Sequence, residues 1–270
     1  MSTFGESVGR IMSTPVVTVA ASAQVSFADG LLRQHRISCL AVLGEAGALE
    51  GALSRKDLLR AGKSPSAAEG GPSLALPMAE VRRYATRPCR SVPPEATVQQ
   101  AARTLVDAHI HRVFVEVEHR PVGVFSTREA MSAVHQARVA TPISSFMNAP
   151  VIVVEADSPI ADGLSLLERG GVGGVVVTDG GFPVGVFTEV EALACEGLAG
   201  TTPIEAVMSQ SLLCLPPETP LHRAAGFSLA TRARRILVVD HRYVRGVVTG
   251  LDFARVVAGD DPTPVRVWTG

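Results

Sequence analysis

The sequence predicts an α/β fold built from four βαββα repeats, and three observations carry that prediction. A nine-residue motif occurs four times: GALSRKDLL (51–59), GVFSTREAM (123–131), GVFTEVEAL (185–193) and GVVTGLDFA (246–254). In each, a hydroxyl falls three residues after the glycine and a carboxylate three residues after the hydroxyl. The hydroxyls Ser54, Ser126, Thr188 and Thr249 stand 72, 62 and 61 residues apart, and the apolar pattern around them keeps the same step. Self-similarity at a fixed period marks one structural unit copied along the chain.

Each unit opens on a short extended stretch: IMSTPVVTV (11–19), YATRPCRSV (84–92), FMNAPVIVV (146–154) and VMSQSLLCL (207–215). A helical pattern follows, with apolar or small residues at spacings of three and four. It runs through Val25, Ala28 and Leu32, then Val98, Ala101, Ala102 and Leu105, then Ile160, Gly163, Leu164 and Leu167, then Leu221, Ala224 and Ala225. The next segments, ISCLAVL, IHRVFVEV, VGGVVVTD and RILVVD, are short bounded apolar runs rich in β-branched residues, as buried strands are. A turn such as GEAG, DGG or DHR leads to the strand that carries the motif, and helical spacing resumes after the hydroxyl.

A unit of about 60 residues buries little apolar surface alone, so copies are expected to pair. The boundaries read as repeats over 8–61, 78–138, 139–199 and 200–260, with a Gly/Pro/Ser/Ala-rich linker at 62–77 and a tail at 261–270. The expected pairs are 8–138 and 139–260.

Composition narrows the function. The chain has 270 residues, 46% hydrophobic but only 4% aromatic, so Val, Leu, Ala and Ile must fill the core. A net charge of −1 gives no global attraction to nucleic acid or anionic lipid. Cys39, Cys89, Cys195 and Cys214 show no C-x-x-C spacing, which fits a reduced, cytoplasmic protein. The N-terminus has no apolar run of a secretory signal, and no stretch approaches the roughly 20 apolar residues that cross a bilayer.

A repeat of this length and order, with G-h-h-[ST]-x-x-[DE] at its second helix, resembles the CBS domain, and four copies resemble two tandem pairs, or Bateman modules. The resemblance covers the chain from about Val8 to Gly259. It implies clefts between paired repeats that bind adenosine derivatives: AMP, ADP, ATP or S-adenosylmethionine. No cofactor is required; the nucleotide is a regulatory ligand.

The motif contains suitable chemistry. An ionised carboxylate accepts two hydrogen bonds from a ribose diol, and a Ser or Thr at a helix start sits where N–H groups favour a phosphate. The same residues also make a capping box, which needs no ligand. Copies one and four carry aspartate (Ser54/Asp57 and Thr249/Asp252), which the resemblance favours for ribose. Copies two and three carry glutamate (Ser126/Glu129 and Thr188/Glu191), whose extra methylene fills space a ribose would take; these are secondary nucleotide-binding candidates.

The family often carries basic residues just before the central strand, aimed at phosphate. The matching dipeptides are Ser38-Cys39, His111-Arg112, Gly173-Gly174 and Arg234-Arg235. Arg112 could grip phosphate bidentately with His111 as a further donor, and Arg234 and Arg235 offer the same. The expected sites are therefore Ser54/Asp57 with His111/Arg112, and Thr249/Asp252 with Arg234/Arg235. A solvated basic patch is the plain alternative for TRARR (231–235), as a strand-edge histidine is for His111.

No catalytic motif occurs: there is no G-x-S-x-G, HExxH or P-loop, and His109-x-His111 lacks further ligands for a metal. The reading is a non-enzymatic, stand-alone sensor that binds an adenosine derivative, forms a homodimer and signals to a separate regulated protein. The alternatives are an assembly scaffold with empty clefts and, third, a nucleic-acid-binding protein using the Arg-rich copy four. Neutral charge and few aromatics disfavour the last. No membrane partner is expected.

Overall fold

The computed structural model describes residues 3–62, 74–241 and 243–262. The expected linker at 62–77 lies largely outside the described residues, as does most of the tail at 261–270. Four βαββα units follow one another. The first contains β1 (Thr18–Ala20), α1 (Val25–Gln34), β2 (Cys39–Leu43), β3 (Leu49–Ser54) and α2 (Arg55–Gly62). The second contains β4 (Ser91–Val92), α3 (Val98–Asp107), β5 (Arg112–Val117), β6 (Arg120–Ser126) and α4 (Thr127–Gln136). The third runs through β7 (Val153–Glu155), α5 (Ile160–Arg169), β8 (Gly174–Asp179), β9 (Phe182–Thr188) and α6 (Glu189–Ala194). The fourth runs through β10 (Cys214–Leu215), α7 (Leu221–Thr231), β11 (Arg235–Asp240), β12 (Tyr243–Thr249) and α8 (Gly250–Ala258).

Every copy makes a three-stranded mixed sheet. The leading strand lies parallel to the central strand, and the motif strand lies antiparallel on its other side. Parallel pairing needs a crossover, which the first helix of each copy supplies. Copies two and three close their antiparallel pairs through two-residue hairpins; in copy three the turn is Gly180-Gly181, both at positive φ (55° and 85°), as such a hairpin requires. The helix-spaced apolar residues read from the sequence are core: Val25, Ala28, Leu32, Val98, Ala101, Ala102, Leu105, Ile160, Leu221, Ala224 and Ala225 are fully buried.

The described residues form two compact units. One combines copies two and four, from the described residues within 3–16, 89–151 and 213–262; the other combines copies one and three, from those within 17–62, 74–88 and 152–212. In the first unit α3 packs on α8, and α4 on both α7 and α8, around one core that includes Phe125, Leu105, Ile236 and Phe253. Arg103 of α3 caps α8, donating to the Ala258 carbonyl at 2.8 Å and pairing with Asp260 at 2.8 Å. In the second unit α2 packs on α6, and Arg33 of α1 donates to the Leu193 carbonyl at 3.4 Å.

Within each unit a copy also receives the leading segment of its sequence neighbour. Ser13 forms a bridge with Val124, Thr86 with Ala52, Asn148 with Val247 and Ser209 with Val186. This exchange explains the motif glycine. A Cβ at Gly246 would stand 2.9 Å from the Asn148 carbonyl oxygen, at Gly51 2.8 Å from that of Thr86, and at Gly185 2.9 Å from that of Ser209. At Gly123 it would meet the Met12 sulfur at 2.1 Å. The glycine is where a neighbouring backbone or methionine crosses the motif strand.

Candidate nucleotide-binding corners

Three residues past the glycine, the strand ends on the hydroxyl and a helix begins. The hydroxyl residue takes extended backbone (Ser126 φ −131°, ψ 177°; Thr249 φ −117°, ψ 172°), so its side chain faces the exposed N–H groups of the first turn. The carboxylate three residues on folds back to it in every copy. The Ser54 N–H and Oγ donate to Asp57 Oδ2 at 2.8 and 2.6 Å. Those of Ser126 donate to Glu129 Oε2 at 2.8 and 2.5 Å, and those of Thr249 to Asp252 Oδ2 at 2.8 and 2.9 Å. In copy three the Thr188 N–H donates to Glu191 Oε2 at 3.0 Å and its hydroxyl bonds the same oxygen. All four corners are therefore capping boxes, each satisfied through one carboxylate oxygen.

The strand register decides what stands opposite the hydroxyl. Cys39 pairs with Ser54, Arg112 with Ser126, Gly174 with Thr188 and Arg235 with Thr249. The preceding residue ties the corner through its carbonyl: Ser38 accepts from Arg55 N–H at 3.1 Å, and His111 from Thr127 N–H at 3.0 Å. Thr249/Asp252 and Arg234/Arg235 are thus brought together in one corner of copy four. Ser54/Asp57 belongs to the unit of copies one and three, and His111/Arg112 to the unit of copies two and four. Arg112 and Arg235 are half-buried, whereas His111 and Arg234 are exposed.

Two residues that the motif does not contain complete the corners of copies two and four. Ser13 Oγ donates to Glu129 Oε1 at 2.7 Å, and Asn148 Nδ2 lies 3.0 Å from both oxygens of Asp252. Both come from the exchanged leading segments, two residues before a proline, and both are polar. That shared position is the signal the sequence offers. Asp252 is 3% exposed, and burial pushes its carboxyl pKa up against the Thr249 and Asn148 hydrogen bonds and the Arg255 charge. Arg255, itself buried, sits 3.6 Å from Asp252 and 3.4 Å from Asp260, over the Phe146 ring.

A cavity of about 250 Å³ lies beside the copy-two corner, lined by Glu6, Arg128, Glu129, Ser132, Gln136 and Leu229. It is smaller than the roughly 300–1,000 Å³ of small-molecule sites. Among the described residues, no cluster of His, Cys, Asp and Glu could hold a metal ion, and no helix is long and apolar enough to cross a membrane.

The family model for the CBS domain matches residues 8–64, 81–136, 143–195 and 204–259. The chain belongs to the CBS domain family. Its four CBS domains are similar in sequence to an uncharacterized protein, MJ1404, of Methanocaldococcus jannaschii, at 24% identity over 94% of this chain and 62% of that protein. The chain thus spans less than two thirds of that relative's length. An A-adding tRNA nucleotidyltransferase of Aquifex aeolicus is 28% identical over 56% of this chain but only 18% of the enzyme. Among solved structures, MJ1225 of Methanocaldococcus jannaschii, described as a putative archaeal homologue of γ-AMPK, superposes with a TM-score of 0.80 at 16% identity, covering 93% of this chain and 99% of that one. The fold of the four CBS domains is therefore shared with a solved protein.

Proposed function

We propose that this CBS protein is a regulatory, non-catalytic sensor that binds an adenosine derivative (AMP, ADP, ATP or S-adenosylmethionine) and signals to a separate protein. The observation that carries this reading is the register of copies two and four. It sets Arg112 opposite Ser126 and Arg235 opposite Thr249, each at the start of a helix of nine or ten residues. An arginine, a hydroxyl and a helix N-terminus together suit a phosphate or another anion. Copy one offers the complementary chemistry, an aspartate with a serine at its helix start and the uncharged Ser38-Cys39 at the strand entry. The family expectation of a ribose-and-phosphate ligand is consistent with that division.

The capping boxes favour a second reading. Because each motif carboxylate already serves its own helix, the motif would persist in a scaffold whose corners hold nothing. One experiment separates the two. The full chain is heated with AMP, ATP and S-adenosylmethionine, with inorganic phosphate and adenosine as partial ligands. A true ligand at 100 times its dissociation constant stabilises by about 2.7 kcal/mol, so the transition moves visibly. Arg235→Ala or Arg112→Ala should weaken the response to the phosphate-bearing ligands. No shift with any of the three ligands at millimolar concentration would leave the scaffold.

A further inference from the structure

The two units close their helix seams differently. In the unit of copies two and four, one continuous core runs through both copies. In the unit of copies one and three, two cores stay apart, one around Val25, Leu40 and Leu53 and the other around Ile160, Val175 and Phe187. Leu59 of α2, half-buried, packs against both.

Residues at matching places account for the difference. Five residues past the motif hydroxyl, copy two has the buried Met131 and copy one has Leu59. Directly after the hydroxyl, copy four has Gly250 and copy three has Glu189. A Cβ at Gly250 would stand 2.6 Å from Thr127 Oγ1 and 3.0 Å from Met131 Cε, so α8 meets α4 closely because no side chain intervenes. A Cβ at Gly226 of α7 would meet the His135 ring of α4 at 3.0 Å, and its counterpart in α5 is Ser165. With side chains at both places in copy three, a cavity of about 150 Å³ lies between α2 and α5.

Five aliphatic side chains wall this cavity: Leu59 from α2, Leu164 and Leu167 from α5, Val172 just beyond α5, and Leu74. Leu74 and Leu167 are buried. The backbone around Leu74 is fixed, since Ala75 N–H donates to the Gly62 carbonyl at 2.7 Å and Gly197 N–H to the Leu74 carbonyl at 3.2 Å. Four charged side chains complete the lining: Lys56 and Arg60 from α2, Glu168 from α5 and Glu189 from α6. Lys56 is exposed, and Arg60, 66% exposed, stands 3.9 Å from Asp57, a weak tie for a solvated pair. The cavity thus joins an aliphatic floor to an edge that carries both signs of charge.

We propose that the cavity between α2 and α5 binds an aliphatic α-amino acid of the size of leucine or methionine. The side chain lies among the five aliphatic walls, the carboxylate turns toward Lys56 and Arg60, and the ammonium turns toward Glu168 and Glu189. An apolar cavity of this volume accepts a guest about the size of benzene, which suits one short side chain and is too small for a nucleoside. A fatty acid would set its carboxylate beside two glutamates with no cation of its own, and an amine would face two cations. A zwitterion with a short apolar body matches both signs at once. The site is separate from the motif corners and does not depend on the adenosine reading.

Calorimetry on the full chain tests it with L-leucine and L-methionine, and with glycine, isocaproate and isopentylamine as partial ligands. Leucine or methionine should bind saturably by millimolar concentration. Each partial ligand lacks the side chain, the ammonium or the carboxylate, and should bind about tenfold or more weakly than leucine. The double variant Lys56→Ala/Arg60→Ala changes exposed side chains, so it should keep the ligand-free melting temperature and weaken leucine by about tenfold or more. Val172→Phe should fill the cavity and remove binding. Leucine titrated in the presence of saturating AMP should give the same affinity as without it, whether or not AMP itself binds. The proposal is overturned by no binding of either amino acid, by isocaproate binding as tightly as leucine, or by leucine binding that survives the double variant. Leucine binding that AMP abolishes, or that a folded Val172→Phe protein retains, places the amino acid elsewhere and overturns it equally.

Discussion

Replacing Gly246 by alanine tests the exchange of leading segments that shapes every corner. The added Cβ would stand 2.9 Å from the Asn148 carbonyl oxygen and 2.9 Å from the Met147 sulfur. Ordinary contact begins near 3.4 Å, so each neighbour must give by about half an ångström. The methionine can swing aside, but the carbonyl is held. It accepts from Val247 N–H at 2.9 Å, while Asn148 N–H donates to the Val247 carbonyl at 2.8 Å. Straining or losing two such bonds costs about 0.5–1.5 kcal/mol each, which agrees with the roughly 1–3 kcal/mol typical of overpacking. Gly30 is the internal control: it is exposed in the interior of α1, and a Cβ there meets nothing within 4 Å. Gly30→Ala should therefore stabilise by up to about 1 kcal/mol. Melting temperatures of the two variants should move in opposite directions, Gly246→Ala down by several degrees and Gly30→Ala up. A Gly246→Ala protein as stable as wild type would refute the crossing of Asn148 over the motif strand.

Other consequences are open to measurement. Arg255→Met should destabilise by about 3–5 kcal/mol in chemical denaturation, because it leaves the buried Asp252 without its cationic neighbour. Asp252 has a folded pKa raised above its ordinary 3.8 by burial, so the folded state holds the proton more tightly than the unfolded one. Its contribution to stability is fully present below pH 3.8 and is lost as pH rises through the raised value, so the melting-temperature advantage of wild type over Asp252→Asn should grow on acidification. Thr97→Ala removes the exposed capping box of α3 with Gln100 and should cost about 1 kcal/mol. The Cys195 thiol is buried, with its pKa pushed up to about 11, so it should resist iodoacetamide at pH 8 longer than the exposed Cys214, whose pKa burial also raises.

The fold was legible because its cause is local. Helix spacing at Val98, Ala101, Ala102 and Leu105, and β-branched runs such as RVFVEV, state which face is buried, and those residues form the core. The corners were half legible. The hydroxyl–carboxylate spacing encodes a helix cap, and four caps formed. The role of the motif glycine was not legible, because it depends on a backbone arriving from another copy. For the same reason Ser13 and Asn148 escaped notice: each acts on a carboxylate more than a hundred residues away. The sequence also gives no sign that helices of alternate copies would share a core. That depends on fits such as Gly250 of α8 against Thr127, where a Cβ would stand 2.6 Å from the Thr127 hydroxyl, and Gly226 of α7 against the His135 ring at 3.0 Å.

These two kinds of constraint explain why the copies can keep one motif and differ in use. Losing the hydroxyl or the acid would uncap a helix that carries core residues such as Phe253 or Val134, so both residues are retained for stability alone. The corners differ at two places that face the hydroxyl and the carboxylate: the residue opposite the hydroxyl on the central strand, and the polar residue of the incoming segment. At the first place the chain has Cys39, Arg112, Gly174 and Arg235; at the second, Thr86, Ser13, Ser209 and Asn148. The two places vary together. Where an arginine stands opposite the hydroxyl, the carboxylate is bonded by the incoming segment; where the strand entry is uncharged, no such bond is formed among the described residues. A carboxylate bonded by the incoming segment keeps its charge but has fewer lone pairs left for other donors. The corners with Arg112 and Arg235 are thus also the ones whose carboxylates are bonded by Ser13 and Asn148, so the two positions set the polar character of each corner together.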